Sequence, residues 1–191
     1  MAQIFGDFVE MVAEDGEYLK ICFHPTSIPL QQRWRNNGLS ADFLADYLST
    51  FFPGADPASI ERQGELKDAV GYIANELLEN CMKYSFSSSS RLTSVEMFLA
   101  PTAITLYTSN GISPDMIEPF QMFIGRLLSE DVDVLYTEQL ERNAEDETGS
   151  ASGLGFLTML NDYGVKIAWK FSGAGGAADA CAVTTMVRLP V

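Results

Sequence analysis

The sequence is organised around one stretch, Tyr72-Ile73-Ala74-Asn75-Glu76-Leu77-Leu78-Glu79-Asn80-Cys81-Met82-Lys83-Tyr84. In a helix of about 3.6 residues per turn, Glu76, Asn80 and Lys83 share one face because they are spaced by four and three residues. The apolar residues fall near a second face, and they are Ile73, Leu77, Cys81 and Tyr84. The pattern predicts a helix whose polar face carries an acid, an amide and an amine in one column, which can hold a cation and an anion together.

A second informative stretch lies far along the chain, at Gly149-Ser150-Ala151-Ser152-Gly153-Leu154-Gly155-Phe156-Leu157. Glycines directly before a helix leave its first amide donors uncovered at the positive end of the helix dipole, which suits phosphates. Taken alone, this signal indicates a plain turn more often than a nucleotide site. The two stretches together predict a nucleotide site between two helices, because Asn80 offers an oxygen to Mg²⁺, Lys83 adds positive charge and Glu76 can accept a proton.

The rest of the chain alternates between helical and strand-like patterns. Helical spacing covers about 41–52, 59–84, 114–128, 133–142 and 156–163, and weakly 3–13. Strand patterns cover about 17–23, 92–99, 103–108, 165–171 and 180–189, and Ser109-Asn110-Gly111 predicts a turn. This order predicts an α+β fold, a two-layer sandwich with helices on one face of a mixed, mostly antiparallel sheet.

Composition narrows the class of protein. At 191 residues, the length suits one domain, and 47% apolar residues are enough for a core. The 12 Lys and Arg residues against 26 Asp and Glu give 12 − 26 = −14, so nucleic acid and anionic membranes are unsuitable partners. No apolar run has the roughly 18 residues needed to span a bilayer, and the first residues do not form a signal peptide. We therefore expect a cytoplasmic protein.

Three cysteines, Cys22, Cys81 and Cys181, are far apart and lie among apolar neighbours. An odd number without metal-ligand spacing predicts reduced core residues instead of a disulfide framework. His24 precedes a proline at a strand end, which favours a structural role over that of a phosphoacceptor. Each of these residues therefore has an ordinary structural explanation.

These stretches resemble the GHKL ATP-binding domain, or Bergerat fold, of histidine kinases, anti-sigma-factor serine kinases, gyrase B and MutL. The run from Glu76 to Tyr84 is similar to the N-box, with a first acid as in serine-kinase anti-sigma factors and a final Lys-Tyr as in histidine kinases. Gly153-Leu154-Gly155-Phe156 resembles the glycine box after the ATP lid, 162–167 the helix end and strand that follow, and 188–190 the chain end. Among acidic bacterial regulators, the chain is more closely similar to SiaB-like kinases.

The resemblance covers about 59–191 and implies one ATP-binding domain over 1–191, with 1–58 as a family-specific N-terminal extension. It implies ATP and Mg²⁺ as cofactors, Glu76 as the catalytic residue, Asn80 as the Mg²⁺ ligand and Lys83 as a phosphate contact. The phosphate cradle would be formed by the amides of Gly153, Leu154 and Gly155. The implied partner is a small regulatory protein, STAS-like or anti-sigma-antagonist-like.

The chain departs from the family at the box that reads adenine. The family has Asp-x-Gly-x-Gly there, whereas this chain has Ser109-Asn110-Gly111-Ile112-Ser113. Ser109 occupies the place of the aspartate, so the charge-assisted bond to the adenine amino group is absent. The resemblance therefore places Ser109, Asn110 and Gly111 at the nucleotide base, with Ser109 or Asn110 making a neutral contact.

Alternatives to a kinase remain open at this stage. The preferred function is a stand-alone ATP-binding kinase that phosphorylates Ser or Thr of a partner regulator in bacterial signalling. The rival is a catalytically weak module of the same fold that sequesters a partner, and a third option is a simple ATPase. The column of Glu76, Asn80 and Lys83 could also be an ordinary solvated helix face. Arg33, Trp34 and Arg35 could be ordinary packing or a docking surface, and a homodimer is possible.

Overall fold

The structure is a computed structural model that describes residues 2–10, 17–24, 30–52, 54–85, 91–145, 153–173 and 181–191, with side chains in the third range from residue 35 onward. Six strands and five helices are found in these ranges. In chain order they are β1 (Ala2–Phe5), β2 (Glu17–Phe23), α1 (Leu30–Ser49), α2 (Pro57–Tyr84), β3 (Thr93–Ala100), β4 (Ala103–Ile112), α3 (Pro114–Ser129), α4 (Val132–Glu145), α5 (Gly155–Tyr163), β5 (Lys166–Ser172) and β6 (Cys181–Pro190).

The six described strands form one sheet in the order β1-β5-β6-β4-β3-β2. Every neighbouring pair is antiparallel, so the sheet is not mixed in the part of the chain that the structure describes. The main core joins helix residues such as Leu77 and Leu157 to strand residues such as Leu106 and Trp169. The predicted α+β class and two-layer arrangement are confirmed.

The long helix α2 is the central element of the helical layer. Its start has a capping box, in which the amide of Ser59 donates to Oδ1 of Asp56 at 3.0 Å and the amide of Asp56 donates to Oγ of Ser59 at 2.9 Å. Eight apolar residues along the helix are buried, from Leu66 to Cys81. Gly64 and Gly71 do not interrupt the helix, so the predicted pattern over 59–84 is confirmed as one element.

The sequence predicts a helix that begins at about residue 41, but α1 begins earlier, at Leu30. Ser40 directly precedes the predicted start and is a residue type preferred as an N-cap, but its hydroxyl donates to the carbonyl of Asn36 at 2.7 Å, which is a bond inside the helix. A serine at an apparent start can therefore lie in a helix interior when its hydroxyl bonds one turn back.

Two expectations for the strands are wrong. The helix predicted over 3–13 is wrong at its start, because Ala2–Phe5 is a strand that pairs with β5. Phe5 packs against Phe171, with 5.6 Å between the ring centroids. The predicted turn at Ser109-Asn110-Gly111 is also wrong, because β4 continues to Ile112 in register with β6. In both places pairing with a distant strand overrides the local preference of the residues.

The described cysteines are all free, but they are not all core residues. Cys81 is buried, Cys181 is half-buried and Cys22 is exposed on the edge strand β2. The prediction of reduced thiols is therefore confirmed for these residues, and the core location of Cys22 is wrong. None of the helices within the described ranges has the length and apolarity needed to cross a bilayer.

We expect two glycine-to-alanine changes to shift stability in opposite directions. Gly64 is exposed inside α2 and an added Cβ meets no atom within 4 Å, so Gly64→Ala should stabilise the protein by about 0.5 to 1 kcal/mol. Gly164 has a φ of +60° after α5, so Gly164→Ala should destabilise it by about 1 to 2 kcal/mol. Urea unfolding of both variants measures the difference, and shifts of the same sign would contradict it.

Candidate functional site

A cavity of about 300 Å³ lies between α2, the strands β4 and β6, and the helices α3 to α5. Its polar lining is formed by Glu76, Asn80, Cys81, Tyr84, Thr108, Asn110, Gln139, Gly153, Gly155 and Thr185. Its apolar lining is formed by Leu77, Ile112, Met116, Pro119, Phe120, Phe123, Phe156 and Val183. This size and this mixture of a few polar groups with an apolar wall are typical of small-molecule sites.

Helix α2 supplies two members of the predicted polar column to the cavity. Glu76 and Asn80 both line it, because they are one helical turn apart. Lys83 is not among the lining residues; its side chain is exposed, with Nζ 5.5 Å from the centroid of the Tyr84 ring. The structure therefore brings the acid and the amide of the column together at the cavity. The amine of Lys83 lies at the surface, outside the cavity lining.

The glycine turn before α5 lies directly against Glu76. A Cβ at position 155 would overlap Oε2 of Glu76, so the glycine lets the carboxylate lie directly against the start of α5. Gly153 has a φ of +58°, and a Cβ there would be 3.0 Å from Nε2 of Gln139. Leu154 does not line the cavity and packs partly buried on the core. Gly149 to Ser152 lie outside the described residues.

Strand β4 places alternate residues towards the cavity. Thr108, Asn110 and Ile112 line it, and Ser109 and Gly111 do not, because successive residues of a strand point to opposite faces. The hydroxyl of Ser109 lies 2.8 Å from that of Thr184 on β6. The residue aligned with the family aspartate thus faces away from the cavity, and Asn110 is the amide that faces it.

Asn110 is held in place by its neighbours. Its Oδ1 accepts a bond from Sγ of Cys81 at 3.5 Å, and its Nδ2 donates to the carbonyl of Gly111 at 3.2 Å. Burial raises the pKa of the Cys81 thiol to about 12, although a hydrogen bond with Thr108 acts in the opposite direction. Cys81 therefore remains a neutral donor at physiological pH and orients the Asn110 amide.

The cavity carries negative charge in the part of the chain that the structure describes. Glu76 is the one charged residue among the described lining residues. Burial raises the pKa of its carboxyl group, and the charge of Glu79 raises the pKa further. A ligand that is itself an anion must therefore bring or recruit positive charge before it can bind beside Glu76.

The donor set is suitable for Mg²⁺ only when a ligand completes it. No group of three or more His, Cys, Asp or Glu that could hold a metal occurs among the described residues. Asn80 nevertheless offers a hard oxygen donor from α2, and Mg²⁺ is often held by one or two protein oxygens together with waters and substrate phosphates. The residues present therefore fit a Mg²⁺ ion that binds with a phosphorylated ligand.

Several lining residues were not found from the sequence. Thr108 and Thr185 are opposite each other across β4 and β6, and both are buried with their side chains at the cavity. Gln139 comes from α4, whose acidic composition gave no sign of a site residue. The rings of Phe120 and Phe156 form the apolar wall and pack edge-on against Trp169, with centroids 6.5 and 5.6 Å away. The run of polar residues from Thr108 to Asn110 after an apolar segment was a signal in the sequence, although it does not say which of them face the cavity.

The residues considered for other roles lie away from the cavity lining. His24 is exposed after β2, and Arg35 is exposed on α1. The side chains of Arg33 and Trp34 lie outside the described part of the chain. The choice between packing and docking for this basic and aromatic segment therefore stays a prediction.

The fold is similar to that of a chain in the crystal structure of the SiaB–SiaC complex from Pseudomonas aeruginosa. The TM-score is 0.55 with 16% sequence identity, over 90% of this chain and 89% of that chain. No family model matches the sequence, and no curated protein matches it. The class that fold and site define is therefore an α+β protein with a cavity beside its central helix. At 16% sequence identity, the similarity to the chain of the SiaB–SiaC complex is a similarity of fold.

We expect Glu76→Gln to gain stability relative to the wild type as pH rises. The folded chain holds the Glu76 proton to a higher pH than the unfolded chain, so wild-type stability falls as pH rises from the ordinary glutamate pKa through the raised folded pKa. Glutamine removes this loss, so the advantage of the variant should grow as pH rises above about 4.3, the ordinary glutamate pKa. Urea unfolding at several pH values measures it. Glu61→Gln, an exposed acid of the same helix, is the control, and a pH-independent difference between Glu76→Gln and wild type would contradict the prediction.

Proposed function

We propose that the protein is an ATP-binding regulatory kinase that transfers phosphate to Ser or Thr of a partner protein. The observation that carries the proposal is the convergence of Glu76, Asn80 and the glycines 153 and 155 on one cavity with an apolar wall. These residues come from two helices far apart in sequence. An acid, an amide and uncovered amides are the groups that phosphoryl transfer requires at one place.

The cavity offers an apolar wall to a base and a glycine turn to phosphates. The base would lie against the apolar wall near Phe120 and Phe123, with its polar edge towards Asn110. An amide offers both an acceptor and a donor, whereas a carboxylate only accepts, so Asn110 could pair with the amino group and a ring nitrogen of adenine. The phosphates would extend towards Gly153 and Gly155 at the start of α5.

Glu76 is suited to act on the attacking hydroxyl. In the proposed step, the hydroxyl oxygen of the partner bonds to the γ-phosphorus, the bond from that phosphorus to the ADP oxygen breaks, and the hydroxyl proton passes to Glu76. A pKa raised by burial brings the carboxylate closer to the operating pH, where a general base is most effective. Mg²⁺ bound by Asn80 would offset the phosphate charge beside this acid.

A regulatory protein partner is supported by the comparison of folds. The similar chain comes from the solved complex of two proteins, SiaB and SiaC, and the likeness extends over 90% of this chain. We propose that this protein likewise acts on a small regulatory partner of the STAS-like or anti-sigma-antagonist-like kind.

The second candidate is a binding module that keeps the fold without efficient catalysis. The absence of a basic residue among the described lining residues favours it, because positive charge is what a polyanionic nucleotide needs, and the neutral Asn110 offers adenine no charge-assisted bond. Calorimetry separates the two candidates. Heat of binding with Mg-ATP supports the kinase, and no heat with either Mg-ATP or Mg-ADP supports the module. Phosphate release without any protein substrate would instead indicate an ATPase.

Asn80→Ala should weaken the binding of Mg-ATP by at least about tenfold, because the amide oxygen that holds the ion is removed. The same change should have a smaller effect on ATP measured with a chelator, since no ion is then held. Isothermal titration calorimetry gives both values, and an unchanged melting point shows that the fold is intact. Undiminished Mg-ATP binding would rule out this role for Asn80.

Neighbouring residues on β4 provide a matched test of the base contact. Asn110→Ala should weaken nucleotide binding by about tenfold, because two hydrogen bonds to the base are lost. Ser109→Ala, whose hydroxyl faces Thr184, should leave affinity within about twofold. The same titration with ATP and GTP measures both variants. A larger effect from Ser109→Ala than from Asn110→Ala would reverse the assignment.

A further inference from the structure

The sheet has an outer face, which points away from the helices and from the cavity. One row of side chains crosses five strands on this face, and we call it the outer row. Its members are opposite one another in register, in the order Tyr18, Phe98, Thr105, Arg188 and Lys166. The residues next to them in each strand pack in the main core, so these five side chains point the other way. Each of the five is exposed or half-buried.

One end of the outer row is aromatic. The rings of Tyr18 and Phe98 stack with an interplanar angle of 7° and 5.3 Å between their centroids, and Tyr18 is 49% exposed. Phe98 packs edge-on against Tyr107 at 5.8 Å, and the hydroxyl of Tyr107 donates to the carbonyl of Val9 at 2.9 Å. The exposed ring of Tyr18 therefore lies on a supported aromatic neighbour, which suits it to hold an apolar side chain of a ligand.

The other end of the outer row is basic. Arg188 and Lys166 are directly opposite each other on β6 and β5, and both are exposed. Like charges in this position destabilise a sheet. Neither side chain forms an ion pair within the described ranges, whereas Lys20 on the same face pairs with Glu96 at 2.8 Å. A chain with 26 acidic and 12 basic residues thus keeps two adjacent cations without a carboxylate from the described residues.

We propose that the outer row is a docking surface for an acidic segment of a protein partner. An apolar side chain of the segment would lie on Tyr18 and Phe98, and its carboxylates would lie at Arg188 and Lys166. Charge complementarity identifies this occupant, because carboxylates would remove the repulsion between the two cations. A nucleic acid also combines planar groups with anions, but it carries a charge on every nucleotide, and the net charge of −14 repels it.

The strand order sets the spacing that such a segment needs. Phe98 is two strands from Arg188 and three strands from Lys166. Neighbouring strands are about 4.8 Å apart, so the two distances are about 10 and 14 Å. An extended chain advances about 3.3 Å per residue. A segment that crosses the strands therefore needs an apolar anchor followed by acids about three and four residues later.

The outer row is separate from the proposed nucleotide site. Thr108 and Thr185 line the cavity from the inner face of β4 and β6, whereas Thr105 and Arg188 lie on the outer face of the same two strands. A partner segment docked on the outer row leaves the cavity open. The proposal therefore does not depend on nucleotide binding, and its test needs no nucleotide.

A peptide titration followed by nuclear magnetic resonance of the isotope-labelled full chain tests the surface. The probe has one phenylalanine followed three and four positions later by glutamates, and it is added to several millimolar because one short segment binds weakly. Saturable shifts of amide signals along the outer row are expected. The same peptide with lysines for the glutamates, or with alanine for the phenylalanine, should bind at least about fivefold more weakly.

Three results of this titration would overturn the proposal. The first is the absence of saturable shifts along the outer row, or equal shifts with the lysine peptide. The second is tighter binding of a short single-stranded RNA at the same signals, which would assign the row to nucleic acid. The third is a shift of these signals when the protein concentration alone is raised, which would assign the row to a second copy of this chain.

Matched charge variants test the basic end. Arg188→Glu should weaken peptide binding by at least about tenfold, and Arg62→Glu, the same charge change at an exposed position of α2, should leave it within about twofold. Lys166→Glu should also weaken binding, while it raises the melting temperature of the free protein by roughly 1 to 3 °C, because an opposite-charge pair replaces the like-charge pair. Equal losses from Arg188→Glu and Arg62→Glu would indicate a general charge effect and contradict the assignment.

A second pair of variants tests the aromatic end. Tyr18→Ser should weaken binding of the phenylalanine peptide by several-fold and have little effect on the alanine peptide, because the anchor contact is lost. Phe43→Ser on α1 is the control, since Phe43 is 51% exposed and lies in the helical layer. It should leave both affinities unchanged. A loss from Phe43→Ser as large as that from Tyr18→Ser would place the apolar contact elsewhere and refute the outer row.

Discussion

The burial of α2 on two sides is the constraint on which the rest of the site depends. Its apolar residues pack against α1 and against the sheet, so the helix cannot rotate without exposing residues such as Ile73 and Leu77, both at most 1% exposed. At about 25 cal/mol per Å² of apolar surface, such a rotation would cost several kcal/mol. The polar face of α2 therefore has a fixed orientation, which places Glu76 and Asn80 at the cavity.

Much of this arrangement could be predicted from local sequence. Patterns within about ten residues predict the helical period of α2, the glycine that ends α5 and the strands on either side of residue 101. The side of β4 that faces the cavity could not be predicted in this way. Ser109 and Asn110 differ by one position, and a shift of one residue reverses the face of a strand. Pairing with β6, which is some 75 residues away, decides between them.

The start of the chain also shows that local sequence does not predict every strand. Nothing near Ala2–Phe5 specifies a strand, and its partner β5 lies more than 160 residues later. The aromatic wall of the cavity was missed for a related reason. Phe120, Phe123 and Phe156 have the spacing of ordinary core residues, and the tertiary fold places them in the lining of the same cavity as Thr108 and Thr185.

The contact between the Glu76 carboxylate and Gly155 has a consequence for how the sequence can vary. The space that a methyl group would need at position 155 is already occupied by Oε2 of Glu76. An alanine at position 155 therefore requires the Glu76 carboxylate to move away from the start of α5, where it lies in this structure. The two positions are coupled in the sense of a double-mutant cycle. Substitution at either one changes which residues the other can tolerate, although 78 positions separate them in the chain.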